Sequence, residues 1–143
     1  MFIGRYYHNL EAAGRISLPK VFRAKTTDWV VTRGLDGGLF GFRAGDFAAE
    51  VKKLSQRTFT KKDHRDFIRL MTNDAVEVKP DKLGRVQLPE YLIKLAGLKK
   101  NVVIVGSYSR IEIWDQAKYH QYLDKIENQA EKIAERLDED RNP

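Results

Sequence analysis

Two arginines occupy matching positions in a repeated stretch of the chain. Residues 10–19 read LEAAGRISLP and residues 80–89 read PDKLGRVQLP. In each copy the arginine, Arg15 or Arg85, directly follows a glycine and stands four residues after an acid. A planar guanidinium donates two parallel hydrogen bonds, which suits the recognition of phosphate or of guanine. Two such loops in one chain suit a partner that is itself repetitive and anionic.

The acids of the same loops offer a second interpretation. Glu11 and Asp81 could each pair with the arginine four residues later. Both arginines would then only stabilise their turns. The spacing alone does not separate this structural role from ligand recognition. Acid–base catalysis by the two carboxylates is disfavoured, because the neighbouring arginine of each favours its ionised form.

The residues needed for other chemistry are scattered or missing. The three histidines, His8, His64 and His120, lie in unrelated segments, and none recurs in both copies. The absence of cysteine excludes disulfides and thiolate metal sites. The glycines between residues 34 and 41 lack the Lys-Ser/Thr ending of a phosphate loop and lie between two predicted strands. We therefore expect no enzymatic activity, no metal and no cofactor.

Positive charge is concentrated in the repeated body of the chain. Residues 1–114 carry 21 basic and 12 acidic side chains, whereas residues 115–143 carry 5 and 8. A basic body favours binding to nucleic acid, although it also suits a solubilising surface. The cations expected to hold phosphates near the two turns are Arg5, Lys20, Arg23, Lys25, Lys79, Lys82 and Lys94. Those expected to form only a solvated face are Arg57, Lys61, Lys62, Arg65 and Arg69.

Each half of the chain predicts the same order of elements, which is strand, turn, strand, short helix, strand, turn, strand and helix. Gly14 and Gly84 stand where a hairpin turn needs positive φ, and Pro19 and Pro89 stand where a helix would begin. The predicted strands are residues 5–10, 15–18, 30–32, 39–42, 75–79, 85–88, 102–105 and 110–114. So many short strands favour a small α+β or barrel-like fold.

Helices account for the rest of the predicted elements. Asp46 and Thr60 are expected to cap helices over residues 47–56 and 61–72. Asp115 is expected to cap one long C-terminal helix with an apolar stripe, ending in a frayed tail at residues 138–143. The predicted organisation is a first repeat (1–47), connecting helices (48–74), a second repeat (75–118) and a C-terminal helix with its tail (119–143).

These motifs resemble those of the MraZ family of bacterial transcriptional regulators. The family shares the Met-Phe-x-Gly start and two copies of an Asp-x-x-Gly-Arg motif followed by a polar-apolar-Pro stretch. The segments Ala96-Gly97-Leu98 and Ile111-Glu112-Ile113-Trp114 are also similar to it. Glu11 departs from the pattern, since the family usually has aspartate there.

The resemblance implies tandem AbrB-like (SpoVT-AbrB) swapped-hairpin β-barrel halves of double-psi type, related by a pseudo-twofold axis. It also implies a homo-oligomeric ring, typically an octamer, that binds short direct repeats upstream of its own division and cell-wall gene cluster. The expected DNA-binding residues are Arg15, Arg85, Arg5, Lys20 and Lys82, positioned by the motif residues Glu11, Gly14, Asp81 and Gly84.

The sequence therefore predicts a non-enzymatic, sequence-specific regulator that binds double-stranded DNA. No stretch of 18 apolar residues and no signal-peptide core is present, so we expect a cytoplasmic protein without a membrane partner. The expected DNA binding makes it nucleoid-associated as well. The alternative is an oligomeric protein-interaction module that does not contact DNA.

Overall fold

The computed structural model describes residues 1–56 and 60–141. The strands are β1 (Arg5–Asn9), β2 (Arg15–Ser17), β3 (Trp29–Arg33), β4 (Leu39–Arg43), β5 (Val76–Val78), β6 (Arg85–Gln87), β7 (Asn101–Gly106) and β8 (Ile111–Asp115). The α-helices are α1 (Lys20–Arg23), α2 (Ala44–Ser55), α3 (Lys62–Asn73), α4 (Glu90–Ala96), α5 (Gln116–Glu127) and α6 (Ala130–Arg141), and a single 3-10 turn spans Ala12–Gly14. The predicted mixed α and β class and the order of elements are confirmed.

The strands form a six-stranded antiparallel sheet, ordered β1-β7-β8-β4-β3-β5, and a separate two-stranded ribbon of β2 and β6. The equivalent strands of the two halves are β1 and β5, β2 and β6, β3 and β7, and β4 and β8. When each strand is exchanged for its equivalent, both orders are the same read from the opposite end. The first strand of each half pairs with the other half, because β1 lies against β7 and β5 lies against β3. The two halves are therefore interleaved.

This pairing corrects one expectation. The strands that flank each turn do not form a hairpin with each other, since β2 pairs with β6 rather than with β1. The reason lies in burial. Residues 102–105 of β7 are all buried, and a strand buried on both faces needs a hydrogen-bonding neighbour at each edge. β1 and β8 supply those neighbours.

The main core draws on both halves. Ile16, Leu92, Ile104 and Ile113 are all fully buried within it. Phe2 belongs to the same cluster, with its ring centroid 5.3 Å from that of Phe22. Its backbone exchanges hydrogen bonds with Tyr108 at 2.8 and 2.9 Å. The Met-Phe-x-Gly start is therefore a structural element that adds a buried aromatic side chain to the sheet.

The helices between the halves begin at positions other than those predicted. α2 starts at Ala44, so Asp46 lies inside its first turn, where its carboxylate accepts a hydrogen bond from Arg43 Nε at 2.6 Å. α3 starts at Lys62 after an N-cap at Lys61, and Thr60 precedes it. An acid in the first turn still favours the helix through its dipole. Arg57 lies outside the described residues.

The C-terminal segment contains two helices where one was predicted. Asp115 does cap α5, accepting a hydrogen bond from the Lys118 N–H at 3.3 Å. The helix ends at Glu127, and its C-cap is Asn128, a residue type that competes for backbone hydrogen bonds. The second helix, α6, runs from Ala130 to Arg141. Residues 138–141 of the expected frayed tail lie within α6. Within the described ranges, no helix is long and apolar enough to cross a membrane.

Candidate nucleic-acid interface

Both motif arginines project from one face of the β2–β6 ribbon. Arg15 lies opposite Gln87 and Arg85 lies opposite Ser17 in the antiparallel register. The intervening pair, Ile16 and Val86, is 0% and 1% exposed. Because side chains alternate between the faces of a strand, the two arginines must share the face that points away from the core.

The register also sets the spacing of the two arginines. Arg15 and Arg85 are diagonal neighbours across the ribbon, and the Cα atoms of such neighbours lie about 7–8 Å apart. A two-stranded antiparallel ribbon is narrow enough to enter the major groove of B-DNA. The ribbon thus carries two arginines at neighbouring positions on one face of an element of suitable width.

Each turn is held in place by the opposite half. The Leu88 N–H donates to the carbonyl of Gly14 at 2.9 Å, and the Leu18 N–H donates to the carbonyl of Gly84 at 3.0 Å. These bonds connect the end of each ribbon strand to the turn that precedes the other strand. The two turns are therefore fixed relative to each other, and with them the starts of β2 and β6.

Gly14 and Gly84 both adopt positive φ, 74° and 81°. A Cβ added at Gly14 would lie 2.6 Å from the backbone oxygen of Leu88, whereas one added at Gly84 would meet the guanidinium of Arg23. The glycine of each motif is thus required by conformation and by space. The absence of a side chain lets each turn lie directly against residues of the other half.

Arg85 is held by carboxylates. Its Nε donates to Asp81 Oδ2 at 3.1 Å, and its Nη1 lies 3.8 Å from Glu11 Oε2 of the other half. Asp81 Oδ1 also accepts the backbone N–H groups of Arg85 and Leu83, both at 2.9 Å. The hydrogen bond from the Arg85 N–H is the main cause that lowers the pKa of Asp81. The predicted pairing across the second turn is confirmed.

The first turn behaves differently. The Glu11 side chain does not cap its own turn and forms its ion pair with Arg85, so the expected pairing of Glu11 with Arg15 is wrong. Within the described part of the chain, the Arg15 guanidinium has no carboxylate partner. The side chain of Arg15 is half-buried on the outward face of the ribbon. It is therefore the less constrained of the two arginines.

The other predicted cations divide into two groups. Lys20 and Lys82 are exposed, one at the start of α1 and the other within the second turn. Arg5 is exposed at the far end of β1, about 13 Å from Asn9 at the usual rise per residue, and its guanidinium lies 5.7 Å from the Tyr119 ring centroid. The structure thus places Lys20 and Lys82 beside the motifs and does not bring Arg5 there.

The remaining cations are engaged elsewhere. Arg23 Nε donates to the Leu18 carbonyl at 2.9 Å, beneath the second turn. Lys79 pairs with Asp28 at 3.2 Å and Lys94 with Glu90 at 3.3 Å. Lys25 lies 6.0 Å from the ring centroid of Phe2.

Two further polar residues on the ribbon face were not singled out from the sequence. Ser17 and Gln87 stand two residues from the arginines, on the same face. The amide of Gln87 donates to the Ala13 carbonyl of the first turn at 2.9 Å. The signal that could have identified them is the period of two counted from each arginine. Among residues 1–56 and 60–141, no cluster of His, Cys, Asp or Glu could hold a metal ion.

The fold and the ribbon define a duplicated α+β protein whose paired motifs present cations rather than catalytic groups. A family model described as "MraZ protein, putative antitoxin-like" matches residues 1–70 and again residues 71–141. The chain belongs to the MraZ family, with two tandem copies of the family unit. This family is of the regulator type and is not a family of enzymes.

Proposed function

We propose that the protein is a sequence-specific regulator that binds double-stranded DNA through the outward face of the β2–β6 ribbon. The observation that carries the proposal is the common face of Arg15 and Arg85, on a ribbon narrow enough for the major groove. A net charge of +6 adds long-range attraction to the DNA backbone. The proposed targets are short direct repeats upstream of its own division and cell-wall gene cluster, bound in a cytoplasmic, nucleoid-associated state.

The interleaved strand order supports a more specific fold for this regulator. We propose that the two halves, residues 1–47 and 75–118, form swapped-hairpin barrel halves of AbrB-like type related by a pseudo-twofold axis. A ring-shaped homo-oligomer, proposed here as an octamer, would repeat the ribbon around its circumference. Several direct repeats could then be bound at once, which raises the overall affinity without strong single contacts.

The two arginines have different roles in the proposed complex. Arg15, which has no carboxylate partner in the described chain, is free to donate both of its forked N–H groups to a base edge or a phosphate. Arg85 must share its guanidinium with Asp81 and Glu11, which costs part of any new contact. Lys20 and Lys82 then set the register by contacting neighbouring phosphates.

The test is a gel-shift or anisotropy titration with DNA from upstream of the protein's own gene. We expect Arg15→Ala to weaken binding by about 10- to 100-fold, as for loss of a bidentate base contact, and Arg85→Ala to weaken it less. Arg69→Ala is the matched control, because this exposed α3 arginine pairs with Asp66 at 2.9 Å and lies outside the ribbon. Affinity should fall steeply with salt, with a slope of about 0.9 per phosphate contact.

A folded Arg15→Ala, Arg85→Ala double variant with wild-type affinity would exclude the ribbon as the DNA interface. The alternative function, an oligomeric protein-interaction module, predicts the same oligomer with no gel shift at any DNA concentration. Leu137 on α6, at 62% exposure, is an apolar side chain available for contact with another protein. Light scattering with and without DNA distinguishes the two.

A further inference from the structure

A groove of about 700 Å³ opens beside the first turn. One wall is the edge strand β5, which pairs only with β3 in the described chain. The other wall consists of Gly14, residues 87–90 and Ile93. A volume of this size accommodates a small ligand or a short peptide segment.

The duplication shows what occupies the equivalent space in the other half. An offset of 70 residues places Ile93 in the position of Arg23, and Leu88 in that of Leu18. Arg23 extends beneath the second turn and donates through Nε to the Leu18 carbonyl at 2.9 Å. The chain therefore carries, in its own first half, a guanidinium bound in the counterpart of this groove.

In the second half the corresponding donor is missing. Ile93 reaches the underside of the first turn, with its Cδ1 2.9 Å from where a Cβ on Gly14 would lie, but it cannot donate a hydrogen bond. Within the described residues, the Leu88 carbonyl accepts no hydrogen bond, and Leu88 is one of the residues that line the groove. Backbone carbonyls inside a protein are normally hydrogen-bonded, so the groove lacks a donor at this position.

The charges of the groove indicate the kind of donor. Glu77 and Glu90 are among the lining residues. Glu90 is paired with Lys94 at 3.3 Å, whereas Glu77 has no ion-pair partner among the described residues. Lys79, the cation in the lining, is paired with Asp28 at 3.2 Å. The groove therefore offers acceptors to a cationic donor and repels an anion such as phosphate.

We propose that this groove binds the arginine side chain of an extended peptide from a partner protein. The guanidinium donates to the Leu88 carbonyl beside Glu77, as Arg23 donates to the Leu18 carbonyl. The peptide backbone runs along the free edge of β5, since residues 76–78 line the same groove and an unpaired strand edge accepts an added strand. The groove adjoins the ribbon face proposed to bind DNA and shares Gln87 with it.

The test uses fluorescence anisotropy with a labelled pentapeptide, Val-Thr-Arg-Thr-Val, and the full-length protein. A matched peptide carries citrulline, which keeps the shape of arginine but lacks its charge. We expect the citrulline peptide to bind at least 10-fold more weakly. N-acetyl-arginine amide, which cannot pair along the strand edge, should also bind at least 10-fold more weakly than the arginine peptide.

Two variants test the location. Ile93→Arg supplies the donor from within, as in the first half, and should reduce peptide affinity at least 10-fold. Lys94→Arg is its control, because it places an arginine on the adjacent exposed position and should leave affinity unchanged. Glu77→Gln alters only an exposed side chain and should weaken binding several-fold, so it decides the question if Ile93→Arg fails to fold.

Equal binding of the arginine and citrulline peptides, or no binding at millimolar concentration, would overturn the proposal. Undiminished binding to a folded Ile93→Arg variant would place the peptide elsewhere. Equal affinities for the peptide and for N-acetyl-arginine amide would refute pairing along β5.

Discussion

Replacing the two motif glycines by alanine should destabilise the protein by different amounts. Both residues have positive φ, so any L side chain at either position costs about 1–2 kcal/mol. At Gly14 the new Cβ would also lie 2.6 Å from the Leu88 carbonyl oxygen, which is backbone. Relief of that contact requires the strand end to move, which breaks the hydrogen bond from Leu88 to Gly14 and costs about 1 kcal/mol more.

At Gly84 the obstacle is the end of a flexible side chain. The added Cβ would meet the guanidinium of Arg23, which is half-buried and can shift without moving the backbone. With five N–H groups, the guanidinium can keep a hydrogen bond to the Leu18 carbonyl as it shifts. We therefore expect Gly14→Ala to lower the free energy of unfolding by about 2–3 kcal/mol and Gly84→Ala by about 1–2 kcal/mol. Urea unfolding followed by tryptophan fluorescence measures both values. A 1 kcal/mol difference corresponds to about 3 °C in Tm for a chain of this size.

Gly45→Ala is the matched control for this comparison. Gly45 lies in α2, and a Cβ there meets nothing within 4 Å. Its replacement should leave stability unchanged or raise it by up to about 1 kcal/mol. Removing the Arg23 side chain should reduce the cost of Gly84→Ala, whereas truncating Ile93 should not rescue Gly14→Ala. Equal losses for Gly14→Ala and Gly84→Ala would refute the argument from backbone contact.

Two further predictions concern the acids of the motifs. Because hydrogen bonding lowers the pKa of Asp81 below its ordinary 3.8, its stabilising effect is complete above pH 3.8 and is lost as the pH falls through the lowered pKa. Asp81→Asn keeps an acceptor oxygen but loses the charge. The variant should therefore be less stable than wild type at pH 7 and approach the stability of wild type below pH 3.8. A constant difference between the two urea midpoints across this pH range would contradict the assignment. Glu11→Asp should change the free energy of unfolding by less than about 0.5 kcal/mol, because the lost contact is an exposed ion pair at 3.8 Å; a loss above 1 kcal/mol by chemical denaturation would mean that Glu11 has a further structural role.

Local patterns were sufficient to predict most elements of this fold. Alternation and bounding glycines or prolines locate all eight strands, and Pro89 marks the start of α4, where it is the N-cap residue. The helix starts were less well predicted, because Asp46 and Thr60 are capping residue types that here lie inside or before the helices. Propensity identifies candidates for a cap but does not choose among neighbouring positions.

The strand partners could not be predicted locally. β1 pairs with a strand about 100 residues away. The sequence of the turn that follows β1 is equally compatible with a local hairpin, so it does not identify this distant partner. The unequal environments of the two arginines were also inaccessible, because they depend on Glu11 reaching across to Arg85 in the other half. The duplicated motif indicated that both arginines are equivalent, but their contacts in three dimensions make them different.

The pairing of Arg5 with Val105 affects how the protein folds during its synthesis on the ribosome. At about 5–20 residues per second, roughly 5–20 s elapse between synthesis of the first strand and synthesis of its neighbour. During that interval the nascent N-terminal strand has no edge on which to dock, and non-local pairing of this kind slows folding. Translation speed and chaperone access therefore act on this protein chiefly before its last 40 residues emerge.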